Sequence, residues 1–244
     1  MNERPFLRIV PSEYCPVKPT DLRGILQYIP RFRDKTFVIA ADGAVVTHLN
    51  FANLLLDIAV LRSLNIRVVL VHGAAQQISA LANEQSATPS NLDGTGVTDA
   101  ATLKLALTAA NGLTHEILEG FATNDLRAAN ANAVVAHPLG ILDGTDHLHT
   151  GKVERVDAEL LQSLLAQGIT PVIPPLGFDG EGNTFRLNSD AVALAVASEL
   201  KATKLLFIST EDGLSTDGQI IRQMIGPKLE ALLTENAEGI PALQ

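Results

Sequence analysis

Apolar residues follow two alternating patterns along the chain. Short unbroken runs, rich in β-branched residues, are followed by longer stretches with apolar residues at helical spacing. The runs predict strands over Thr36–Ala41, Arg67–Val71, Ala133–Ala136, Ile169–Ile173 and Lys204–Ser209. An unbroken run of this kind suits a strand covered on both faces of a parallel sheet. The helical stretches are Phe51–Leu64, Gln76–Asn83, a helix from Thr98 or Asp99 to Glu119, Ala158–Gln167 and Ala191–Leu200. Asp157 and Asn188-Ser189-Asp190 stand where helices need an N-terminal cap, and Gly168 stands where one must stop. Strand and helix alternate. The expected fold is α/β, a three-layer αβα sandwich around a mainly parallel sheet. Hairpins are expected at 140–156, with turns at Asp143-Gly144 and Thr150-Gly151-Lys152, at 176–187 around Asp179–Asn183, and at 213–221 between Asp212-Gly213 and Asp217-Gly218. Pro227–Leu233 reads as the start of a last helix.

The first thirty-four residues stand outside this alternation. Residues 1–20 hold Pro5, Pro11, Pro16 and Pro19 and read as an extended arm. Residues 21–34 contain a helix, Leu22–Phe32, with Leu22, Ile25, Leu26 and Ile29 on one face. It precedes the first core strand and has no partner within a βα unit. That face is expected on the outside of the domain or against another subunit. Residues 35–244 form the main domain.

Composition narrows the function classes. Of 244 residues, 46% are hydrophobic and only 4% aromatic, with no Trp, so Ala, Val, Leu and Ile must fill the core. The net charge of -9, from 18 basic and 27 acidic residues without a basic cluster, disfavours nucleic acid and anionic membranes as partners. One cysteine, Cys15, allows neither an internal disulfide nor a multi-cysteine zinc site. No apolar run nears a membrane span, and the N-terminus lacks a secretory apolar segment, so a cytoplasmic location is expected.

The turn after the first strand, Asp42-Gly43, and the passage His72-Gly73-Ala74-Ala75 before the second helix are the candidate anion seats. A helix N-terminus offers free N–H groups and a positive dipole end. Neither a G-x-G-x-x-G nor a Walker A loop is present. His147-x-His149 has no evident third ligand, so no metal is expected there. Residues 84–98 are polar, turn-rich and long enough for a functional loop. Asn188-Ser189-Asp190 is a helix cap and also a polar cluster at the edge of the sheet.

These landmarks are F-V-I-x-x-x-G (Phe37–Gly43), V-H-G (Val71–Gly73), V-T-D (Val97–Asp99), T-G-K-V-E-R-V-D (Thr150–Asp157), L-N-S-D (Leu187–Asp190) and E-D-G-L (Glu211–Leu214). Together they resemble the amino-acid kinase family and its acetylglutamate kinase branch. The stretches K-T-F-V-I, V-T-D-A-A-T-L-K-L and H-P-L-G-I-L-D-G-T-D are most similar to the kinase-like N-terminal domains of N-acetylglutamate synthases. The resemblance covers about Asp21–Leu233. It implies the acetylglutamate kinase-like fold.

It also implies what has been lost. Active kinases of the family carry a lysine on the first strand and two glycines after it. Here those positions hold Ala40, Asp42 and Gly43. The family's H-G-G-G loop keeps Gly73 but has Ala74, and its substrate-binding arginine falls on Gly96. Asn188 and Asp190 are retained, Asp190 as a cap or remnant without lysines to organise. A cation replaced by a methyl and a carboxylate beside the phosphate seat both oppose phosphoryl transfer.

The resemblance therefore implies a kinase-inactive regulatory domain, with L-arginine as effector and no cofactor of its own. A homo-oligomer would form through Leu22–Phe32. In the full-length relatives L-glutamate and acetyl-CoA are the substrates, and the acetyltransferase domain that joins them falls outside these residues. The chain is expected to stop before the family's last elements. Two alternatives stand beside this reading. One is an active acetylglutamate kinase with Lys35 or Lys152 entering the site, and the other is a non-catalytic sensor or scaffold.

Overall fold

The structure is a computed structural model. It describes residues 29–211 and, past them, residues 213, 215, 216, 219–221, 223, 224, 226, 227 and 230. The expected arm and most of the helix Leu22–Phe32 lie outside the described residues. Its last four, Ile29–Phe32 (α1), are helical.

β1 (Thr36–Ala41) and β2 (Arg67–His72) run side by side through the middle of the molecule. They belong to a five-stranded sheet with β3 (Ala128–Asn130), β8 (Thr170–Ile173) and β11 (Lys204–Ile208), in the order β11-β1-β2-β8-β3. Every pairing in it is parallel. Alternation along a strand sends neighbouring side chains to opposite faces. Ile39, Ala41, Val68 and Leu70 thus pack against α3 (Phe51–Ser63), α4 (Ala75–Glu84) and α5 (Ala100–Ala122). Val38, Ala40, Val69 and Val71 pack on the other side, with Leu161 and Leu165 of α6 (Ala158–Ala166) and Val192 and Val196 of α7 (Ser189–Glu199). These are the three expected layers. Leu113 and Ile117 of α5 are essentially sealed from solvent. Truncating a side chain so placed to Ala costs about 2–5 kcal/mol.

A second sheet closes the α6–α7 core. It comprises β4 (Val134–Pro138), β7 (Gly151–Val156), β9 (Leu176–Phe178) and β10 (Thr184–Arg186), ordered β10-β9-β4-β7. Two small hairpins complete the fold, β5 (Ile141–Leu142) with β6 (Thr145–Asp146) and β12 (Ser215–Thr216) with β13 (Gln219–Ile220). In the first, Asp143 and Gly144 both take positive φ, 49° and 79°, as a type I′ turn requires.

The caps behave as the sequence predicts. Asp99, Asp157 and Asn188 accept backbone N–H groups from Thr102, Leu160 and Asp190/Ala191. Gly168 ends its helix at φ 71°. Four expectations change. Asp42-Gly43 is not a bare turn: Asp42 precedes a one-turn helix, Gly43–Val46 (α2). Thr150-Gly151-Lys152 is not a turn either. It opens β7, and Gly151 is glycine because an added Cβ would fall 2.5 Å from Phe185 Cβ. β3 is a strand that the pattern does not signal. Asp190 is not the cap of α7; Asn188 is, and Asp190 lies in the first turn.

Candidate functional site

The carboxyl ends of β1 and β2 and the N-terminus of α7 converge. Gly73 N donates to Ala41 O at 2.9 Å, joining the two strand ends, and Asp42 N donates to Ile208 O at 3.0 Å. A Cβ added to Gly73 would stand 3.3 Å from Ser189 Oγ, 3.6 Å from Gly43 N and 3.8 Å from Asp42 Cα. The crevice outside the carboxyl edge of a parallel sheet is the usual ligand position in such folds. The structure therefore brings Asp42, Gly43, Gly73, Asn188 and Asp190 into one place.

The charge there is negative. Burial, and then the Asp190 carboxylate, hold Asp42 above the ordinary carboxylate range. Burial does the same to Asp190. No ion pair among the described residues reaches either acid. Ala40, the position at which the resemblance puts a lysine in active kinases, is 5% exposed and packs with the Val192–Val196 core. Lys35 cannot replace it. It sits at the opposite end of β1, whose six residues span about 20 Å.

Gln77 is the seat's unforeseen member. Its Nε2 donates to Gly43 O at 2.8 Å. Its Oε1 lies 2.1 Å from the point a Gly43 Cβ would occupy, and is buried without a hydrogen-bond partner. The carboxamide thus fills the space beside the Gly43 α-carbon. Beneath the seat, His72 is fully buried, with Nδ1 3.0 Å from Gly73 O and Nε2 2.8 Å from Thr114 Oγ1 on α5. Both neighbours accept, since the Thr114 hydroxyl already donates to Ala110 O, so the neutral ring donates to only one of them. Burial pushes the His72 pKa down to about 4.

A second cluster holds the loop over residues 90–98. Arg186, 2% exposed, donates from Nη1 to Asn91 O at 2.6 Å and from Nη2 to Leu92 O. Asn188 Nδ2 donates to Asp93 O at 3.2 Å. Thr150 Oγ1 donates to Gly96 O at 2.6 Å and accepts from Thr98 Oγ1 at 2.8 Å. Gly96 packs against Asn91, whose Nδ2 would be 3.2 Å from an added Cβ. Gly96 thus belongs to this cluster rather than to the strand ends. Ala74 is buried at the start of α4, without a side-chain cap. His147 and His149 flank Thr98 through backbone hydrogen bonds. Among the described residues no group of His, Cys, Asp or Glu is arranged to hold a metal ion.

Residues 35–235 match the model of the amino acid kinase family. The chain belongs to the amino acid kinase family. It is 38% identical over 226 residues to an amino-acid acetyltransferase of Pseudomonas putida, covering 86% of this chain and 52% of that protein. It is also similar to N-acetylglutamate synthase from Neisseria gonorrhoeae complexed with coenzyme A and N-acetyl-glutamate, with TM-score 0.80 and 30% identity over 88% of this chain and 50% of that one. The same enzyme complexed with coenzyme A and L-arginine gives TM-score 0.81 and 29% identity, over 89% and 53%. The chain spans about half the length of the curated relatives it matches. Among the described residues no helix is long and apolar enough to cross a membrane.

Gly43 and Gly73 let the two strand ends approach closely, and the charge beside them is negative. Sequence reasoning noted Ala40 and Asp42 one by one. It did not foresee that Asp42 meets Asp190, because they are far apart in the chain. The sequence signal for Gln77 was its place in the first turn of the helix after Gly73. Arg186 carried a plainer one, as a cation between the apolar Phe185 and Leu187.

Proposed function

We propose that this chain is the kinase-inactive regulatory domain of an N-acetylglutamate synthase and that it senses L-arginine. The observation that carries the first half is the carboxylate pair Asp42–Asp190 beside a buried Ala40. Phosphoryl transfer depends on cations that neutralise charge on the transferring group. Here a nucleotide's terminal phosphate would meet two acids and a methyl group, under a glycine covered by Gln77. The second half is supported by the similarity to an enzyme whose structure holds L-arginine.

In such a synthase the glutamate amine attacks the acetyl thioester of acetyl-CoA. An amide forms, the C–S bond breaks and coenzyme A leaves as the thiol. We assign none of that chemistry to these residues. Their role in this reading is to bind the effector, to assemble subunits through Leu22–Phe32 and to set the activity of the acetyltransferase portion.

The test is calorimetric titration of the chain with L-arginine, N-acetylglutamate and ATP, beside an assay for ATP-dependent phosphorylation of N-acetylglutamate. Arginine binding without phosphorylation is expected. Phosphorylation well above background would instead favour an active kinase. Silence toward all three ligands would leave a scaffold.

A further inference from the structure

At the amino edge of the parallel sheet, the end opposite Asp42 and Asp190, three arginines converge. β8 starts at Thr170, just past the helix stop Gly168. It lies between β2, which starts at Arg67, and β3, which Arg127 precedes. α3 brings Arg62 to the same end in its last turn. A Cβ added to Gly168 would stand 3.1 Å from Arg62 Nη2 and 3.3 Å from Arg127 Nη2. Both guanidinium groups thus reach one point. Arg67 shares the face of Val69 and Val71, the side on which α6 packs before it ends at Gly168. After burial, the charges of Arg127 and Arg67 loosen the hold of Arg62 on its proton, so all three act on one another. They are far apart in the sequence, and only the fold gathers them.

Part of the cluster has a structural account. Arg127 Nη2 donates to Gln167 O, and Arg62 sits at the C-terminus of α3, where the helix dipole favours a cation. Neither explains the third charge or the missing counter-charge. Among the described residues no acid pairs with any of the three. Asp34, in the turn before β1, accepts from Asn65 instead, and Asp125, two residues before Arg127, makes no ion pair. No side-chain hydrogen bond among the described residues engages the guanidinium groups of Arg62 and Arg67. Like charges held together carry a cost that a bound anion removes. Three cations exceed what one carboxylate neutralises. A phosphate dianion matches them better, since its oxygens accept from guanidinium forks in pairs.

We propose that Arg62, Arg67 and Arg127 form a binding site for a phosphate group, free or carried as a monoester on a larger molecule. The site lies the length of β1, about 20 Å, from the strand-end seat and shares no residue with it. It does not rest on the regulatory reading.

The experiment is a calorimetric titration of the 244-residue chain at pH 8 and low ionic strength with inorganic phosphate, methyl phosphate and acetate. Phosphate is expected to bind at least about tenfold more tightly than acetate. Arg62→Gln and Arg67→Gln are each expected to weaken phosphate about tenfold, the worth of one charge-assisted hydrogen bond, and together to abolish binding. Arg127 is left in place because it also holds the end of α6. Lys104→Gln removes an exposed cation on α5 and is expected to change nothing. Thermal melts check that the variants fold. Methyl phosphate binding more tightly than phosphate assigns the site to a monoester, and binding no more tightly assigns it to free phosphate; either upholds it. The proposal is overturned if phosphate fails to bind, if it binds no better than acetate, if the double variant binds it like the parent chain, or if Lys104→Gln weakens it as much as Arg62→Gln does.

Discussion

Two charged places lie within a few residues of each other at the start of α7, and they are built in opposite ways. Arg186 is sealed in and satisfied, with two backbone carbonyls accepting from it. Burial loosens its hold on the proton and Asp93 partly restores it. Asp42 and Asp190 are only half-buried, repel each other and have no cation to pair with. A buried charge with every partner in place is a fastener. A like-charged pair without partners carries a cost, and it persists in a fold when something other than stability keeps it there. The difference places the structural work at the loop cluster and singles out the strand-end seat as the part of the fold not built for stability.

The largest effect is expected at the fastener. Arg186→Ala would strand the carbonyls of Asn91 and Leu92 in a dry environment and leave a hole beneath the loop. Breaking a buried charged arrangement costs about 3–5 kcal/mol, measured as a lowered urea midpoint. Arg186→Lys should recover only part of this, since one ammonium cannot reproduce the two-armed geometry. A loss below about 1 kcal/mol for Arg186→Ala would dissolve the distinction between the two places.

Next in size is a pH effect from beneath the seat. His72 has an ordinary pKa of 6.5, held down to about 4 by burial. The unfolded chain takes up this proton near pH 6.5 while the folded chain resists it. The stabilisation from a neutral His72 is complete above pH 6.5 and is lost as the pH falls toward 4. At 1.36 kcal/mol per pKa unit the full displacement is worth about 3 kcal/mol. Stability of the parent chain should therefore fall between pH 7 and pH 4 more steeply than that of His72→Gln. Parallel profiles for the two would remove His72 from the account.

Gly43 offers a sharper local test. An added Cβ would overlap Gln77 Oε1 and approach Gly73 O at 3.1 Å. The side chain of Gln77 can move, so Gly43→Ala should cost about 1–2 kcal/mol rather than prevent folding. In a Gln77→Ala background most of that cost should disappear, which a double-mutant cycle measures. Additive losses would mean that Gln77 does not cover this glycine.

How much of this was legible beforehand follows from where each signal resides. The strands of the parallel sheet and the helix caps were readable because burial on both faces and capping by Asp99, Asp157 and Asn188 are local chemistry. β3 was not: A-A-N has little strand propensity, and it pairs because β8 presents the edge Thr170–Val172 to it. Gly151 looked like a turn because glycine usually marks one, whereas the close packing of Phe185 is what demands it. The apolar Ala40 near the end of β1 could be read directly. The meeting of Asp42 with Asp190, the cover over Gly43 and the grip of Arg186 on a loop more than ninety residues away are products of the tertiary fold.

The smallest effect tests the other half of the comparison most directly. Both acids have pKa values raised above 3.8. The folded chain therefore binds their protons more readily than the unfolded chain does. Stability from these groups grows as the pH falls from neutrality toward 3.8 and is withdrawn as it rises again, the reverse of His72. At neutral pH the pair is a liability that Asp42→Asn removes. Each acid is half-exposed and screened by water, so the gain should stay below about 1 kcal/mol. It should be visible as a small rise in melting temperature at pH 7 that vanishes near pH 4. Added salt should shrink it, because exposed charges about 10 Å apart are largely screened at 0.1 M ionic strength. A destabilised Asp42→Asn at pH 7 would mean that Asp42 has a partner holding it charged, and would return the strand-end seat to the same class as Arg186.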